Sequence, residues 1–234
     1  LMFSATWPRE VQEIGHGYMT NPIRVNVGEK DRLTANHRVE QTVEVMEGGE
    51  KDGRLLQLLE KYHKGQKERM LIFGLYKKET DRIATMLQRK GYDAKAINGD
   101  LSQDRRTQVL EDFKSGKLKC MVATDVAARG LDVKELGYVI NYTFPLTIED
   151  YVHRIGRTGR AGATGVSCTF FTKEDKAHAG SLGNILREAN CPVPEALMNF
   201  GQGTKAKKHG TYGVTLTATQ EAMLGKTATR VTFD

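Results

Sequence analysis

Cysteine is scarce in this chain: there are three, Cys120, Cys168 and Cys191, widely spaced and with no C-x-x-C pair. That pattern argues against a disulfide framework or a zinc site and fits a reducing compartment, cytosol or nucleus. No apolar run approaches the ~20 residues that a membrane-spanning helix needs. The opening Leu1-Met2-Phe3 has none of the character of a signal peptide and reads as cut from a longer chain. A phosphate-cradling G-x-x-x-x-G-K-[ST] loop is absent, as is any Asp-Glu-Ala-Asp metal site. The nearest approach, Gly225-Lys226-Thr227, has Gln220 where the first glycine belongs. No internal repeat is evident.

The 234 residues suffice for one good core and part of a second. Lys and Arg total 35 against 29 Asp and Glu, a formal charge of +6, which favours a polyanionic partner. A cluster of arginines stands in Asp150–Gly162, D-Y-V-H-R-I-G-R-T-G-R-A-G, where Arg154, Arg157 and Arg160 recur at every third position. On a helical turn, residues three apart share a face, so Arg157 and Arg160 are expected to reach one small target together. Their planar forks match phosphate oxygens and keep their charge near neutral pH. Gly156 and Gly159 between them permit close approach of a backbone or ligand.

Apolar and polar segments alternate along the chain. Leu1 to Phe3 reads as the end of a buried strand, followed by a helix with Pro8 in its first turn. Residues 22–27 read as a further short strand, and 28–37 as a polar linker. From Arg38 the pattern is strand (38–46), helix around Leu55–Tyr62, and strand (70–73). A helix (78–90) stopped by Gly91 and a strand (94–97) come next. A helix capped by Ser102, then strands 120–123 and 138–140, follow. Thr147 and Asp150 form a capping-box pattern ahead of the arginines, and a strand at 166–171 closes the series. Alternation of this kind predicts an α/β, doubly wound, mostly parallel sheet with helices on both faces. Such sheets bind ligands at the carboxyl ends of their strands. From Gly201 onward the composition turns to Gly, Thr and Lys, predicting a basic tail over 201–234.

Taken with Val122–Asp132 (V-A-T-D-V-A-A-R-G-L-D), Leu71–Lys77 and Gln103-Asp104-Arg105-Arg106, the arginine stretch resembles motif VI of the DEAD-box ATP-dependent RNA helicases. The order of motifs over about residues 1–200, from Ser4-Ala5-Thr6 as motif III, resembles the second, RecA-like domain of that family. Residues 73–79, Asn141–Pro145 and Arg230–Asp234 are similar to nucleolar members that act in large-ribosomal-subunit assembly. Asn98 stands where His is usual before Gly99-Asp100, and Thr143-Phe144 replaces a commoner Asp-containing sequence.

The resemblance implies a division into the remnant of a first RecA-like domain (1–27), a linker (28–37), the helicase C-terminal domain (38–200) and the tail. It implies ATP with Mg²⁺ held mainly by a preceding domain, and Arg157 and Arg160 as arginine fingers acting with His153. Gly130 and Asp132 would contact the nucleotide, with Asp132 at the ribose. Ser4 and Thr6 would couple the domains through His153. RNA, single-stranded or in a short duplex, would be held by its backbone at Thr124, Gln103, Arg106, Arg129 and Gly99. Arg129 has an equal claim to an internal salt bridge, and His153 and Asp132 also have plain structural readings as a helix-fixing histidine and a turn former. A monomer in the nucleus (nucleolus), or alternatively the cytoplasm, is implied, with ribosome-assembly factors as further partners and no membrane. A non-catalytic RNA- or protein-binding module and a double-stranded-DNA translocase are the rival readings.

Overall fold

The structure is a computed structural model, and it describes residues 1–3, 9–25, 35–63, 69–128, 133, 136–160 and 162–201. Residues 33–204 form one compact unit, and residues 1–32 belong to another. In the latter, α1 spans Arg9–Tyr18. No strand is formed by residues 1–3 or 22–25, against the sequence expectation. A strand persists only when a neighbour takes up its backbone hydrogen bonds, and short apolar runs by themselves do not supply one. Ser4, Thr6, most of the linker, Arg129, Gly130, Asp132 and the 202–234 tail with Gly225-Lys226-Thr227 lie outside the described residues.

The compact unit is built on six strands: β1 (Val39–Val45), β2 (Arg69–Phe73), β3 (Ala94–Ile97), β4 (Cys120–Ala123), β5 (Leu136–Asn141) and β6 (Gly165–Phe171). Their order in the sheet is β1-β6-β5-β2-β4-β3, and all five pairings are parallel. The mostly parallel sheet expected from the sequence is wholly parallel. Parallel strands need crossovers that cover the faces, and the burial shows it: all five residues of β2 and all four of β4 are buried.

Helices α2 (Lys51–His63) and α3 (Lys77–Arg89) cover one face. Leu55, Leu58 and Leu59 of α2 and Ile83, Ala84 and Leu87 of α3 meet Met70, Ile72, Val122, Ile140 and Phe170 there. The apolar positions of each helix fall three and four apart, the spacing of one helical face. On the other face, Phe113 of α4 (Gln103–Ser115) and Ala127 and Ala128 of α5 (Asp125–Ala128) pack on Leu71, Phe73, Met121, Ala123 and Val139. Beside them, Tyr151 and Ile155 of α6 (Ile148–Ile155), with α7 (Ala179–Glu188) and α8 (Glu195–Met198), close over Val39, Val43 and Phe171.

Caps fix where the helices begin. The Ser102 hydroxyl accepts from the Arg105 amide as expected, and Gly116 ends α4 at φ +78°. Thr147 accepts from the Asp150 amide, but the Asp150 carboxylate accepts from the Thr147 hydroxyl (2.8 Å) instead of returning to the Thr147 amide. The expected box is therefore half formed. A reciprocal box does appear at Thr172 with Asp175, opening the 3₁₀ turn Lys173–His178.

Cys120 and Cys168 are buried, and desolvation pushes both thiols up to about 12. Cys191 is half-buried, its Sγ beside the Val39 carbonyl.

Away from the core, Asp52 on α2 takes two hydrogen bonds from Arg82 on α3 (2.7 and 3.1 Å) and one from the Tyr142 hydroxyl (2.8 Å). The Arg82 guanidinium is the main cause holding the Asp52 carboxyl below its ordinary 3.8, against the opposing effect of burial. A carboxyl depressed on folding contributes stability above its unfolded value and loses it as pH falls through the folded one. Chemical unfolding of Asp52→Asn and wild type at pH 7 and pH 3 should show the wild-type advantage at pH 7 shrinking at pH 3. An advantage that does not change with pH would contradict this role.

Candidate functional site

The three arginines of the Asp150–Gly162 stretch are sorted by the structure into two kinds. Helix α6 stops at Ile155, with Gly156 at its cap, and the chain then turns through Gly159 at φ +68°. The helical turn expected to carry Arg157 and Arg160 on one face is thus absent, both lying beyond the end of α6. Conformations with φ near +68° suit glycine, and a Cβ on Gly159 would also fall 2.7 Å from Val39 Cγ2 and 3.1 Å from Asn36 Nδ2.

Arg154 points inward. Its side chain is 1% exposed, and its Nε and one terminal nitrogen donate to the two oxygens of Asp125 at 2.6 and 2.7 Å. The other terminal nitrogen donates to the Thr143 carbonyl at 2.7 Å, and the guanidinium lies 4.9 Å from the centre of the Phe73 ring. This guanidinium is spent on the fold. The sequence carried a hint, since Arg154 falls three residues after buried Tyr151 and next to buried Ile155 on the inward face of α6.

Arg157 and Arg160 are partly exposed. The Arg157 Nε donates to the His153 carbonyl (3.1 Å) and the Arg160 Nε to the Gly156 carbonyl (2.7 Å), each four residues back. Each bond orients a guanidinium whose plane matches phosphate. His153, in the last turn of α6, is half-buried. The turn is pinned to the strands below. Asn36 Nδ2 donates to the Gly159 carbonyl at 2.8 Å, and the buried Thr158 hydroxyl bonds to the Leu136 and Gly137 carbonyls at the start of β5. Gly165, the first residue of β6, packs against Thr158 with no room for a Cβ.

The residues expected at RNA gather at the other end of the sheet. Thr124 follows the last residue of β4 and is 8% exposed. Gly99 follows β3, with the Lys77 side chain across it and bonded to Asp100. Gln103 and Arg106 lie in the first turn of α4, Gln103 exposed and Arg106 half-buried, with the Arg106 Nε buried and lacking a protein partner. The turn below them is shaped by Asn98, 1% exposed, which donates to Asp81 (2.9 Å) and Thr80 (3.2 Å) and accepts from the Asp100 amide (3.1 Å). Asn98 therefore builds the Gly99-Asp100 turn from beneath, a role that its place in the sequence alone did not reveal.

Thus the carboxyl ends of β3 and β4 present Thr124, Gly99, Gln103 and Arg106, while the arginine turn sits at the amino ends of β5, β6 and β1. Helix α6 runs from one edge to the other. Among the described residues no group of three His, Cys, Asp or Glu side chains is arranged to hold a metal ion.

This parallel sheet is that of a helicase C-terminal domain: residues 50–162 match the family model for the helicase conserved C-terminal domain. The chain is 54% identical over its whole length to the ATP-dependent RNA helicase DBP3 of Saccharomyces cerevisiae and 52% identical to that of Candida albicans, of which it covers 45% and 41%. Among solved structures it is similar to the yeast DEAD-box splicing factor Prp28 (30% identity, TM-score 0.66, 88% of this chain and 46% of that one). A DEAD box protein from Methanococcus jannaschii matches at 37% identity and TM-score 0.57, over 81% of this chain and 49% of that one. Residues 50–162 are thus a helicase conserved C-terminal domain with a RecA-like sheet, and the chain as a whole is similar to DEAD-box RNA helicases. It spans under half the length of the curated relatives it matches.

Removing Asp125 would leave the Arg154 guanidinium buried and without its carboxylate, a change that typically costs about 3–5 kcal/mol. Urea unfolding of Asp125→Ala should show a loss of that order, and the double variant Asp125→Leu with Arg154→Met should recover much of it. A loss under about 1 kcal/mol for Asp125→Ala would mean that the pair is solvated after all.

Proposed function

We propose that the full-length protein is an RNA-stimulated ATPase that couples ATP hydrolysis to local duplex unwinding or ribonucleoprotein remodelling. The observation that carries this is the pairing of two structurally fixed sites on one domain, the arginine turn at one sheet edge and the backbone-binding row at the other. Names of the relatives, ATP-dependent RNA helicases over the whole of this chain, support the choice of ligands.

On this reading Arg157 and Arg160 stabilise the charge that accumulates on the transferred terminal phosphate. His153 links them to Ser4 and Thr6, and Gly130 and Asp132 contact the nucleotide. ATP arrives with Mg²⁺, held mainly by a first RecA-like domain of the full-length protein. Thr124, Gln103, Arg106, Arg129 and Gly99 grip phosphates and sugars without reading bases, the mode that gives position rather than sequence. The buried, unpartnered Arg106 Nε suits such an oxygen ligand. Closure of the two domains then requires that each ligand favour the closed state. We assign the protein to ribosome assembly in the nucleolus, supported by the likeness of residues 73–79, 141–145 and 230–234 to nucleolar members.

A second reading applies to these 234 residues by themselves. They contain no phosphate-cradling loop, so alone they serve as a non-catalytic RNA-binding module. The purified 234-residue chain should show no ATPase, and any binding to single-stranded RNA should weaken steeply from low to moderate salt.

In the full-length protein, Arg160→Ala should lower RNA-stimulated ATP turnover by roughly 10³-fold or more, the worth of an arginine finger. RNA affinity should change much less. Wild-type turnover in that variant would sink the assignment.

A further inference from the structure

We propose that the cleft at the carboxyl ends of β1, β6, β5 and β2 receives a nucleobase of the same RNA strand, stacked on Tyr76. This deepens the RNA reading above and rests on it.

The cleft has a volume of about 450 Å³ and is walled by Leu75, Tyr76, Phe144, Pro145, Leu146 and His178. That size lies within the ~300–1,000 Å³ range of small-ligand clefts. Folding does not explain the side chain at its rim. Tyr76 is 67% exposed, so it adds little to the core, and Leu146 across the cleft is 48% exposed. Tyr76 also occupies the N-cap of α3 without making any side-chain cap hydrogen bond. Ser, Thr, Asp or Asn at that position would cap the helix, so a tyrosine there forgoes the local advantage. An exposed aromatic that serves neither core nor cap offers its face to a ligand, and every nucleobase has a matching one.

Of the three wall carboxylates, Glu174 lies exposed, and Glu79 and Asp175 are occupied in bracing the loops. Glu79 accepts from the Leu75 amide and the Thr143 hydroxyl, both at 2.7 Å, and Asp175 accepts from the Thr172 amide and hydroxyl, both at 2.9 Å. Glu79 thus ties the Leu75 and Thr143 loops at a fixed spacing, and Asp175 fixes the turn at Thr172 on the same wall of the cleft. Cations flank it: Lys51 in its wall, and Lys77 directly after Tyr76.

Continuity with the backbone-binding row decides between a nucleic acid and a peptide. In the sheet β2 lies between β5 and β4, so Tyr76 stands where the cleft meets Thr124 at the end of β4. Lys77 crosses from Tyr76 to Asp100 over Gly99. A strand held by its phosphates along β3 and β4 comes next to Tyr76, and a base turned off that strand meets the ring with the cleft beside it. Tyr76 would then set how many nucleotides the domain grips, a property distinct from the backbone contacts.

The test uses full-length protein with a non-hydrolysable ATP analogue and fluorescently labelled oligouridylates of increasing length. Affinity is read by anisotropy, and abasic substitutions are then placed at successive positions of the longest oligomer. Wild type should lose roughly ten-fold in affinity for one abasic position, the scale of a single base–aromatic stack. Tyr76→Ala should show the same loss with the intact oligomer and no further loss at that abasic position, while short oligomers bind as to wild type. Tyr76→Phe should retain the wild-type pattern. Equal binding by Tyr76→Ala and wild type at every length would overturn the proposal and leave the cleft to a protein partner. A uniform loss at every length would overturn it too, by making Tyr76 a general determinant. Failure of wild type to bind any oligomer would overturn the RNA reading itself, an outcome separate from the other two.

Discussion

A guanidinium held dry against a single carboxylate governs how this domain is put together. Burying a charge is costly unless a partner and further hydrogen bonds compensate. Arg154 has Asp125 on two of its nitrogens, the Thr143 carbonyl on the third and the Phe73 ring alongside. Those three groups come from the ends of β2, β4 and β5. One side chain on α6 therefore ties three strand exits to one helix, and none can shift without stripping a buried charge of a partner. A polar seam continues from it under α6. Asn141 donates to Thr169 at 2.9 Å, and the Tyr151 hydroxyl donates to Gln41 at 2.9 Å. Apolar packing on this face would tolerate sliding of α6, whereas directional bonds to fixed strand atoms do not.

Registry of α6 matters because of what lies at its two ends. At one end are Thr143 and Asp125, the latter directly after Thr124. At the other is the turn of Arg157 and Arg160, itself pinned through Thr158 and Asn36. The all-parallel sheet imposes this separation. A chain that leaves each strand at the carboxyl edge must return to the amino edge before the next begins, and α6 is that return path between β5 and β6. The two ends of the sheet are thereby joined by a rigid element of only eight residues.

The regular parts of this architecture are open to reading from residue order, and the reasons are physical. Met70–Phe73 and Cys120–Ala123 are uninterrupted apolar runs because both faces of their strands are covered. Leu55, Leu58 and Leu59, like Ile83 and Leu87, repeat at helical spacing because one face alone is covered. Where a local signal lacks its tertiary partner, the reading fails: residues 1–3 and 22–25 are apolar enough for strands yet form none. Three-residue spacing of arginines suggests one face, but the helix ends at Ile155, and Gly159 at positive φ turns the chain between Arg157 and Arg160. Spacing from Tyr151 only hints at which of three arginines is buried, since its partner Asp125 lies 29 residues away. Asn98 is equally opaque, because its partners Thr80 and Asp81 lie on a helix 17 and 18 residues earlier. Tyr76 is a different case. Its failure as an N-cap is visible in the sequence once the helix start is known, but the cleft beside it is assembled from four strand ends.

The three cysteines differ in access to solvent. Two are sealed in the interior with thiols that resist ionisation, whereas Cys191 is partly open and lies beside Val39, on the strand against which the Gly159 turn is packed. Thiolate is the reactive species, so an alkylating dye will mark this domain at one point, without any cysteine having to be engineered in or out. That point lies at the amino edge near the arginine turn and away from the opposite, Tyr76-bearing edge. A fluorophore there would report on the surroundings of the arginine turn and leave the far side of the sheet untouched.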